Sequence, residues 1–147
     1  MGFSSLQLDI KSLKHITTGI GPGSFIGVRT SSIIAKMMAK SLSIPIFSTY
    51  AMLGIKSPLG KIASLIDAKK RGVFVATCQK SSKKITVLQK PTLYKEDKLK
   101  NILNDVDFVF SLEELKNKPL DTKIASFDKH ALAYLSYRPN KELNLIY

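Results

Sequence analysis

Residues 19–29 have the sequence Gly-Ile-Gly-Pro-Gly-Ser-Phe-Ile-Gly-Val-Arg and follow a β-branched run at 14–20. The β-branched run predicts a short strand, and the glycines and proline predict a loop. Ser24 can cap a helix that continues to Leu42, because its hydroxyl can accept a hydrogen bond from the first helical turn. The segment Ile44–Tyr50 predicts a second buried strand. Strand, loop, helix and strand in this order predict an α/β parallel crossover.

The glycine loop allows two interpretations. Loops between a strand and a helix N-terminus can bind phosphate, because free N–H groups and the helix dipole attract anions. This loop lacks the Gly-Lys-Ser/Thr ending of a P-loop, Pro22 removes one donor, and Phe25 adds bulk. We therefore favour a structural turn that needs glycine for its backbone angles, with an anion site as the alternative.

Small side chains recur every fourth residue along the predicted helix. This spacing predicts a ridge that another backbone can approach closely, either the helix's own sheet or a partner chain. Two strands alone are too few for a stable sheet, so residues 1–57 need cover from a partner, the second half or further strands. We expect residues 1–57 to associate with another chain. The possible interface comprises Gly27, Ser31, Ala35, Met38 and Ala39.

A linker-like run at 56–60 (Lys-Ser-Pro-Leu-Gly) predicts two lobes, residues 1–57 and 58–147. Short basic turns separate the first strands of the second lobe, so they should form an antiparallel meander. A helix, a strand and two further helices should follow, the last capped by Ser126. The predicted elements are strands at Ile62–Asp67, Val73–Cys78, Ile85–Leu88 and Val106–Phe110 and helices at Lys95–Leu103 and Leu112–Lys118.

The composition is that of a folded chain. It has 147 residues, 44% of them hydrophobic, and no apolar run approaches the roughly 18 residues of a membrane span. The single cysteine, Cys78, excludes an internal disulfide framework, and the N-terminus lacks the pattern of a signal peptide. We expect a soluble, cytoplasmic protein without membrane contact.

The formal net charge is +12. Such a surplus attracts polyanions and would assist a protein that works beside a nucleic acid. Only Arg29, Arg71 and Arg138 are arginines, whereas dedicated phosphate-binding surfaces favour the arginine fork. A general lysine enrichment is therefore the alternative explanation.

The catalytic inventory is sparse. The only histidines are His15 and His130, and the sequence contains no paired metal-ligand spacing. Cys78 lies within a predicted strand and is better explained as a core residue. Asp67 ends an apolar strand, where it could be a functional carboxylate or the start of a turn. We predict no catalytic residue, no metal and no cofactor.

Several motifs carry a family resemblance. The segment 19–29 resembles the Gly-x-Gly-Pro-Gly-Ser-Phe-Thr-Gly-x-Arg signature of the TsaB (YeaZ) family, with Ile26 in place of threonine. Ile44-Pro45 and 48–50 (Ser-Thr-Tyr) are similar to the next conserved stretch of that family. The segment 66–69 (Ile-Asp-Ala-Lys) resembles its Ile-Asp-Ala-Arg motif, and 143–147 resembles the start of its closing motif. The motif residues are Gly19, Gly21, Pro22, Gly23, Ser24, Phe25, Gly27 and Arg29, with Asp67, Ala68 and Lys69 in the second motif.

The resemblance implies an actin-like ASKHA (ribonuclease H-like) fold and a non-catalytic scaffold role. Proteins of that family support the catalytic subunit TsaD and, with the ATPase TsaE, form the complex that makes threonylcarbamoyladenosine beside the tRNA anticodon. A homodimer in isolation and indirect tRNA contact through the complex are expected. The metal-binding histidines of that machinery belong to TsaD.

Three departures from the family pattern affect these expectations. Lys69 replaces an arginine, and Gly72 occupies a position where glutamate is usual. Family members also carry further residues before the point that matches Met1, including the first hairpin and helix of the first lobe. The alternatives are an ASKHA-type nucleotide-dependent or glycoprotease-like enzyme and a stand-alone basic RNA-binding module.

Overall fold

The computed structural model describes residues 9–115, 121–128 and 131. They form a mixed α/β protein, and the chain divides into two compact units between Thr49 and Tyr50. The predicted boundary at 57/58 lies later in the chain. The intervening segment bonds to the second unit, since Lys80 Nζ donates to the carbonyl oxygens of Ile55 and Ser57 at 3.3 and 3.1 Å.

The first unit contains the predicted parallel crossover. Strand β1 spans Ile16–Gly19, helix α1 Phe25–Leu42 and strand β2 Ile46–Thr49. The two strands run parallel, with Ile16 beside Ile46 and Gly19 beside Thr49, and α1 packs on both. This sheet has two strands among the described residues.

Helix α1 begins and ends on side-chain and backbone caps. Ser24 has extended backbone angles, and its Oγ accepts from Gly27 N at 3.1 Å, which confirms the predicted N-cap. At the other end Ser43 adopts a left-handed conformation (φ 53°), and its N–H donates to the carbonyl oxygens of Ala39 and Lys40. The left-handed residue ends the helix while satisfying carbonyls of its last turn.

The second unit is built on a five-stranded sheet of order β5-β4-β3-β6-β7. Strands β3 to β5 form the predicted antiparallel meander, and β6 and β7 continue the sheet in parallel. A 3₁₀ turn at Lys69–Arg71 joins β3 to β4. The elements are β3 Gly60–Asp67, β4 Val73–Lys80, β5 Ile85–Tyr94, α2 Glu96–Leu103, β6 Phe108–Ser111 and β7 Lys123–Ile124.

The core of this unit lies where α2 packs against the sheet. Leu65, Val73, Val75, Leu99 and Leu115 form one buried apolar cluster. Nearby on β4, Cys78 is 2% exposed, and burial raises the pKa of its thiol to about 11, partly offset by the positive charge of Lys80. The thiol is therefore neutral near pH 7, as expected of a core residue.

One predicted helix and one predicted helix cap are wrong where the structure describes them. Residues 112–115, the described part of the predicted helix Leu112–Lys118, are not helical. Ser111 Oγ instead donates to the carbonyl oxygen of Glu113 at 2.7 Å, a local bond that competes with a helix start. Ser126 is not the residue that caps the last helix. Ala131 is helical, and its N–H donates to Asp128 Oδ1 at 3.3 Å, as in an N-cap. The rest of these predicted helices lies outside the described residues.

Candidate functional site

The residues of the glycine loop perform structural tasks in the first unit. Gly21 has φ 100°, which favours glycine. A Cβ on Gly27 would lie 2.7 Å from Ser24 Oγ, so the absence of a side chain there leaves room for the N-cap bond. The Arg29 guanidinium lies 4.3 Å from the centre of the Phe25 ring, one helical turn earlier. The loop thus has the features of a structural turn, and the remaining motif residues, Gly19, Pro22 and Gly23, complete it.

The predicted interface residues divide between two sides of α1. A step of four residues advances roughly 40° beyond a full turn of an α-helix, so the ridge winds around the axis. Ala35 and Ala39 are buried, and with Val28 and Ser32 they form the side of α1 that faces its own sheet. Gly27 and Ser31 are exposed, and Met38 is half-buried. Ala35 and Ala39 therefore pack inside the unit, which corrects their placement at an interface with another chain.

The opposite side of α1 is apolar and exposed. Ile26, Ile33 and Met37 are 77%, 57% and 67% exposed, and Ile34 beside them is 52% exposed. We call Ile26, Ile33, Ile34 and Met37 the outer face of α1. A helix with apolar side chains on both sides is normally covered on both. The interface predicted from the sequence lies instead on the small side chains of the helix.

The second motif forms the tight turn between β3 and β4. Asp67 Oδ1 accepts from Lys69 N at 2.6 Å, and Lys69 is left-handed with φ 56°. Ala68 N donates to the carbonyl oxygen of Gly72 at 2.9 Å and closes the turn. Of its two predicted roles, Asp67 performs that of turn initiator. Its own N–H donates to Glu113 Oε1 at 3.1 Å.

Gly72 is required by close packing in this chain. It has φ 119°, and a Cβ there would lie 2.1 Å from the carbonyl oxygen of Tyr94 on β5. No larger residue fits without moving one of the two backbones. The backbone of Tyr94 therefore requires glycine at position 72 in this chain.

A cavity of about 700 Å³ opens beside this turn. Its walls combine the turn with the start of α2 and the buried core. The lining residues are Asp67, Ala68, Lys69, Lys70, Arg71, Val73, Glu96 and Leu115. We call it the turn pocket. Three of its residues, Asp67, Ala68 and Lys69, belong to the second motif, but no cavity was predicted there.

The histidines and acidic residues form no metal site in the described ranges. His15 packs edge-on against Phe47 with 5.2 Å between ring centres, and His130 lies outside those ranges. Within residues 9–115, 121–128 and 131, no three His, Cys, Asp or Glu side chains group closely enough to bind a metal. No helix in this part of the chain has the length and hydrophobicity needed to cross a membrane.

Comparisons with known proteins agree with this architecture. A family model described as "TsaD: tRNA N6-adenosine threonylcarbamoyltransferase" matches residues 3–136. The structure of YeaZ from Pseudomonas aeruginosa superposes with a TM-score of 0.69 and 16% identity, covering 90% of this chain and 69% of that one. A second structure, of an uncharacterized Pseudomonas aeruginosa protein similar to peptidase YeaZ, has a TM-score of 0.69 and 14% identity, covering 97% and 79%. A search of curated proteins gives no match. The structural matches confirm the expected actin-like α/β fold.

Proposed function

The chain belongs to the TsaD family of tRNA threonylcarbamoyladenosine biosynthesis, and on this premise we propose that it is a non-catalytic scaffold subunit that supports a TsaD-like enzyme. The non-catalytic assignment is supported by the sequence inventory, in which the only histidines are His15 and His130. In the proposed complex the TsaD-like partner supplies the catalytic groups. A TsaE-like ATPase completes the assembly. This chain associates with tRNA indirectly, through the assembled complex.

The observation that carries the proposal is the outer face of α1. All four of its side chains are more than half exposed, although α1 already buries its other side on β1 and β2. Covering a large apolar side chain contributes about 1.5–3 kcal/mol, so this face favours association with another apolar surface. We infer that α1 packs against the TsaD-like partner, or against a second copy when that partner is absent.

Association can be tested with two matched double variants of α1. Ile33→Ser with Met37→Ser removes two apolar side chains of the outer face. Lys36→Ser with Lys40→Ser removes two exposed charged side chains from the same helical turns and serves as the control. The full-length chain and the TsaD-like protein of the same organism are mixed, and Kd is measured by calorimetry. The apolar double variant should weaken binding about tenfold or more, since each tenfold corresponds to about 1.4 kcal/mol.

The outcomes separate the scaffold role from its proposed surface. Equal Kd values for the wild-type chain and both variants would show that another surface binds the partner. A chain that stays monomeric in sedimentation and does not bind the TsaD-like protein would contradict the scaffold role. Robust turnover of ATP or a glycoprotein by the isolated chain, lost in Asp67→Asn or His15→Ala, would favour the enzyme alternative instead.

A further inference from the structure

Strand β5 lies at the edge of the five-stranded sheet. Strand β4 pairs with one side of it, and within residues 9–115, 121–128 and 131 no strand pairs with the other side. The N–H and C=O groups of such an edge can pair with a strand of another chain. Three apolar side chains of β5 are also partly exposed, Val87, Leu88 and Leu93 at 37%, 50% and 39%. An apolar edge of this kind favours strand pairing between copies.

The part of β5 that is most suited to pairing has a lysine on each side. Residues 85–89 are Ile-Thr-Val-Leu-Gln, a run with high strand propensity, no charge and no proline. We call it the edge segment. Lys84 precedes it, Lys90 and Pro91 follow it, and both lysines are exposed. Charges and proline beside an apolar strand segment oppose its association with other strands.

The backbone next to the edge segment is unsuited to continue a ladder. Strand β5 has ten residues against the eight of β4, and the register between them shifts twice between Val75 and Cys78. The two extra residues bulge β5 in its middle, which bends the edge. Pro91 has no N–H to donate, and the carbonyl oxygen of Lys90 already accepts from Thr92 Oγ1 at 2.9 Å. Regular pairing with a further strand is therefore confined to a few residues.

Antiparallel pairing between two copies would also bring like charges together. When the edge segment pairs with the same segment of a second copy, Lys84 of each copy lies at the end where Lys90 of the other lies. Both ends of the paired region then hold two lysines, and like charges on facing strands destabilise the pairing. Because positions 73–95 contain no Asp or Glu, no carboxylate of β4 or β5 offsets this repulsion.

We propose that Lys84, Lys90 and Pro91 prevent β5 from pairing with β5 of a second copy. The lysines repel at both ends of the edge segment, and the proline and the bulges interrupt the ladder. This edge of the second unit therefore remains unpaired in solution despite its apolar side chains. The proposal concerns the second unit alone, so it rests neither on the outer face of α1 nor on the proposed scaffold role.

The test uses charge reversal in the full-length chain. Lys90→Glu places an opposite charge beside Lys84 of a second copy at both ends of the edge segment. Lys100→Glu, at an exposed position of α2, has the same net charge and serves as the control. Lys84→Glu with Lys90→Glu restores like charges at both ends while lowering the net charge further. Thermal melts verify that each variant is folded.

Hydrogen exchange of β5 peptides over a range of protein concentrations reports pairing at this edge separately from association through α1. Protection of β5 in Lys90→Glu should begin at about tenfold lower protein concentration than in Lys100→Glu, because two repulsions become attractions. The double reversal should behave like the wild type. Adding Pro91→Val to Lys90→Glu should lower this concentration about fivefold further through one regained backbone hydrogen bond. Adding Pro58→Val, at an exposed loop position, should leave it unchanged.

Two results would overturn the proposal. One is the same concentration dependence of β5 exchange in Lys90→Glu and Lys100→Glu, which would mean that the lysines beside the edge segment do not control pairing. The other is association of the double reversal as strong as that of Lys90→Glu, which would assign the effect to net charge. Neither result affects the binding of a TsaD-like partner, which is measured separately on α1 variants.

Discussion

At Gly72 and Gly27 the structure leaves little room for a Cβ, but the neighbouring atom differs between the two positions. At Gly72 the added atom would meet the backbone oxygen of Tyr94 at 2.1 Å, and φ is 119°. At Gly27 it would meet only the side-chain oxygen of Ser24, at 2.7 Å. A hydroxyl can rotate away, but two paired strands cannot separate without losing their hydrogen bonds. The two positions should therefore respond differently to alanine.

Gly72→Ala should lower the free energy of unfolding by at least about 2 kcal/mol, because strain at a glycine-only backbone adds to the clash. Gly27→Ala should be nearly neutral, since losing the cap costs about 1 kcal/mol and alanine restores about 1 kcal/mol of helix propensity. Urea denaturation of both variants measures the difference. A Gly72→Ala protein as stable as the wild type would contradict the packing described for this turn.

The buried thiol of Cys78 should make stability depend on alkaline pH. Below its ordinary pKa of 9.0 the thiol is neutral in both the folded and unfolded states, so the contribution is fully present. Between 9.0 and about 11 the unfolded chain ionises while the folded chain stays protonated, so stability falls as pH rises. The loss should reach about 1–3 kcal/mol.

Cys78→Ala provides the control, because it cannot titrate at this position. The stability advantage of the wild type over this variant should shrink as the pH rises from about 9 to about 11. Urea melts across this range measure the difference at each pH. A constant difference would mean that the thiol ionises in the folded chain as readily as in the unfolded chain.

Helix α1 has one side that is buried on its own sheet and an opposite side that is exposed. Ala35 and Ala39 pack on the helix's own sheet, whereas Ile33 and Met37 are exposed. Volume added to the inner side must displace neighbouring atoms, and volume added to the outer side extends into solvent in the isolated chain.

Ala39→Leu should therefore lower the free energy of unfolding by about 1–3 kcal/mol through overpacking. Met37→Leu, two residues earlier on the exposed side, should change it by less than about 0.5 kcal/mol. Thermal and urea melts of the isolated chain test both. If both variants were equally stable, the inner side of α1 would have more space than its burial indicates.

Sequence patterns predicted the elements whose boundaries are set locally. Ser24 marks the start of α1, and the short basic turns determine the antiparallel pairing of β3 to β5. The failures have two causes. The predicted helix at Leu112 is replaced by a local bond from Ser111 Oγ, whereas β7 depends on a distant contact. Strand β7 comprises only Lys123–Ile124 and exists through its pairing with β6. A strand of two residues is too short to show the alternation of polar and apolar side chains by which strands are predicted from sequence.

The candidate site was predictable only in part, for a related reason. The second motif drew attention to Asp67, Ala68 and Lys69 as a turn. The turn pocket also needs Glu96 and Leu115, which lie far along the sequence and reach it through the packing of the sheet and α2. The outer face of α1 could not be predicted for a different reason. Hydrophobicity alone does not show which apolar side of a helix packs on its own sheet and which is exposed.

At the scale of the whole molecule, the two units differ in how much sheet supports them. The first has two strands among its described residues and the second has five. Small sheets are marginal without further cover, so we expect the first unit to open more often. Hydrogen exchange should be faster for the amides of β1 and β2 than for those of β3 and β4.

Adding a TsaD-like partner should slow exchange in α1 and β1 and leave β3 and β4 unchanged, because binding stabilises the unit that it covers. Mass spectrometry of peptides from both units measures the effect. Slower exchange confined to the second unit would place the partner on a different surface from the outer face of α1.

Lys80 gives this lysine-rich chain an internal reference for chemical labelling. Its ammonium donates to the carbonyl oxygens of Ile55 and Ser57 and to Ser57 Oγ at 3.2 Å, whereas Lys83 and Lys84 are exposed in the adjacent turn. An amine held by three acceptors presents its lone pair to an acylating reagent less often than a solvated one. Succinimidyl esters should therefore modify Lys83 and Lys84 first and Lys80 last. Amine-reactive cross-linkers used to map the complex should therefore react with the surface lysines. Acylation of Lys80 would indicate that the native fold has been lost.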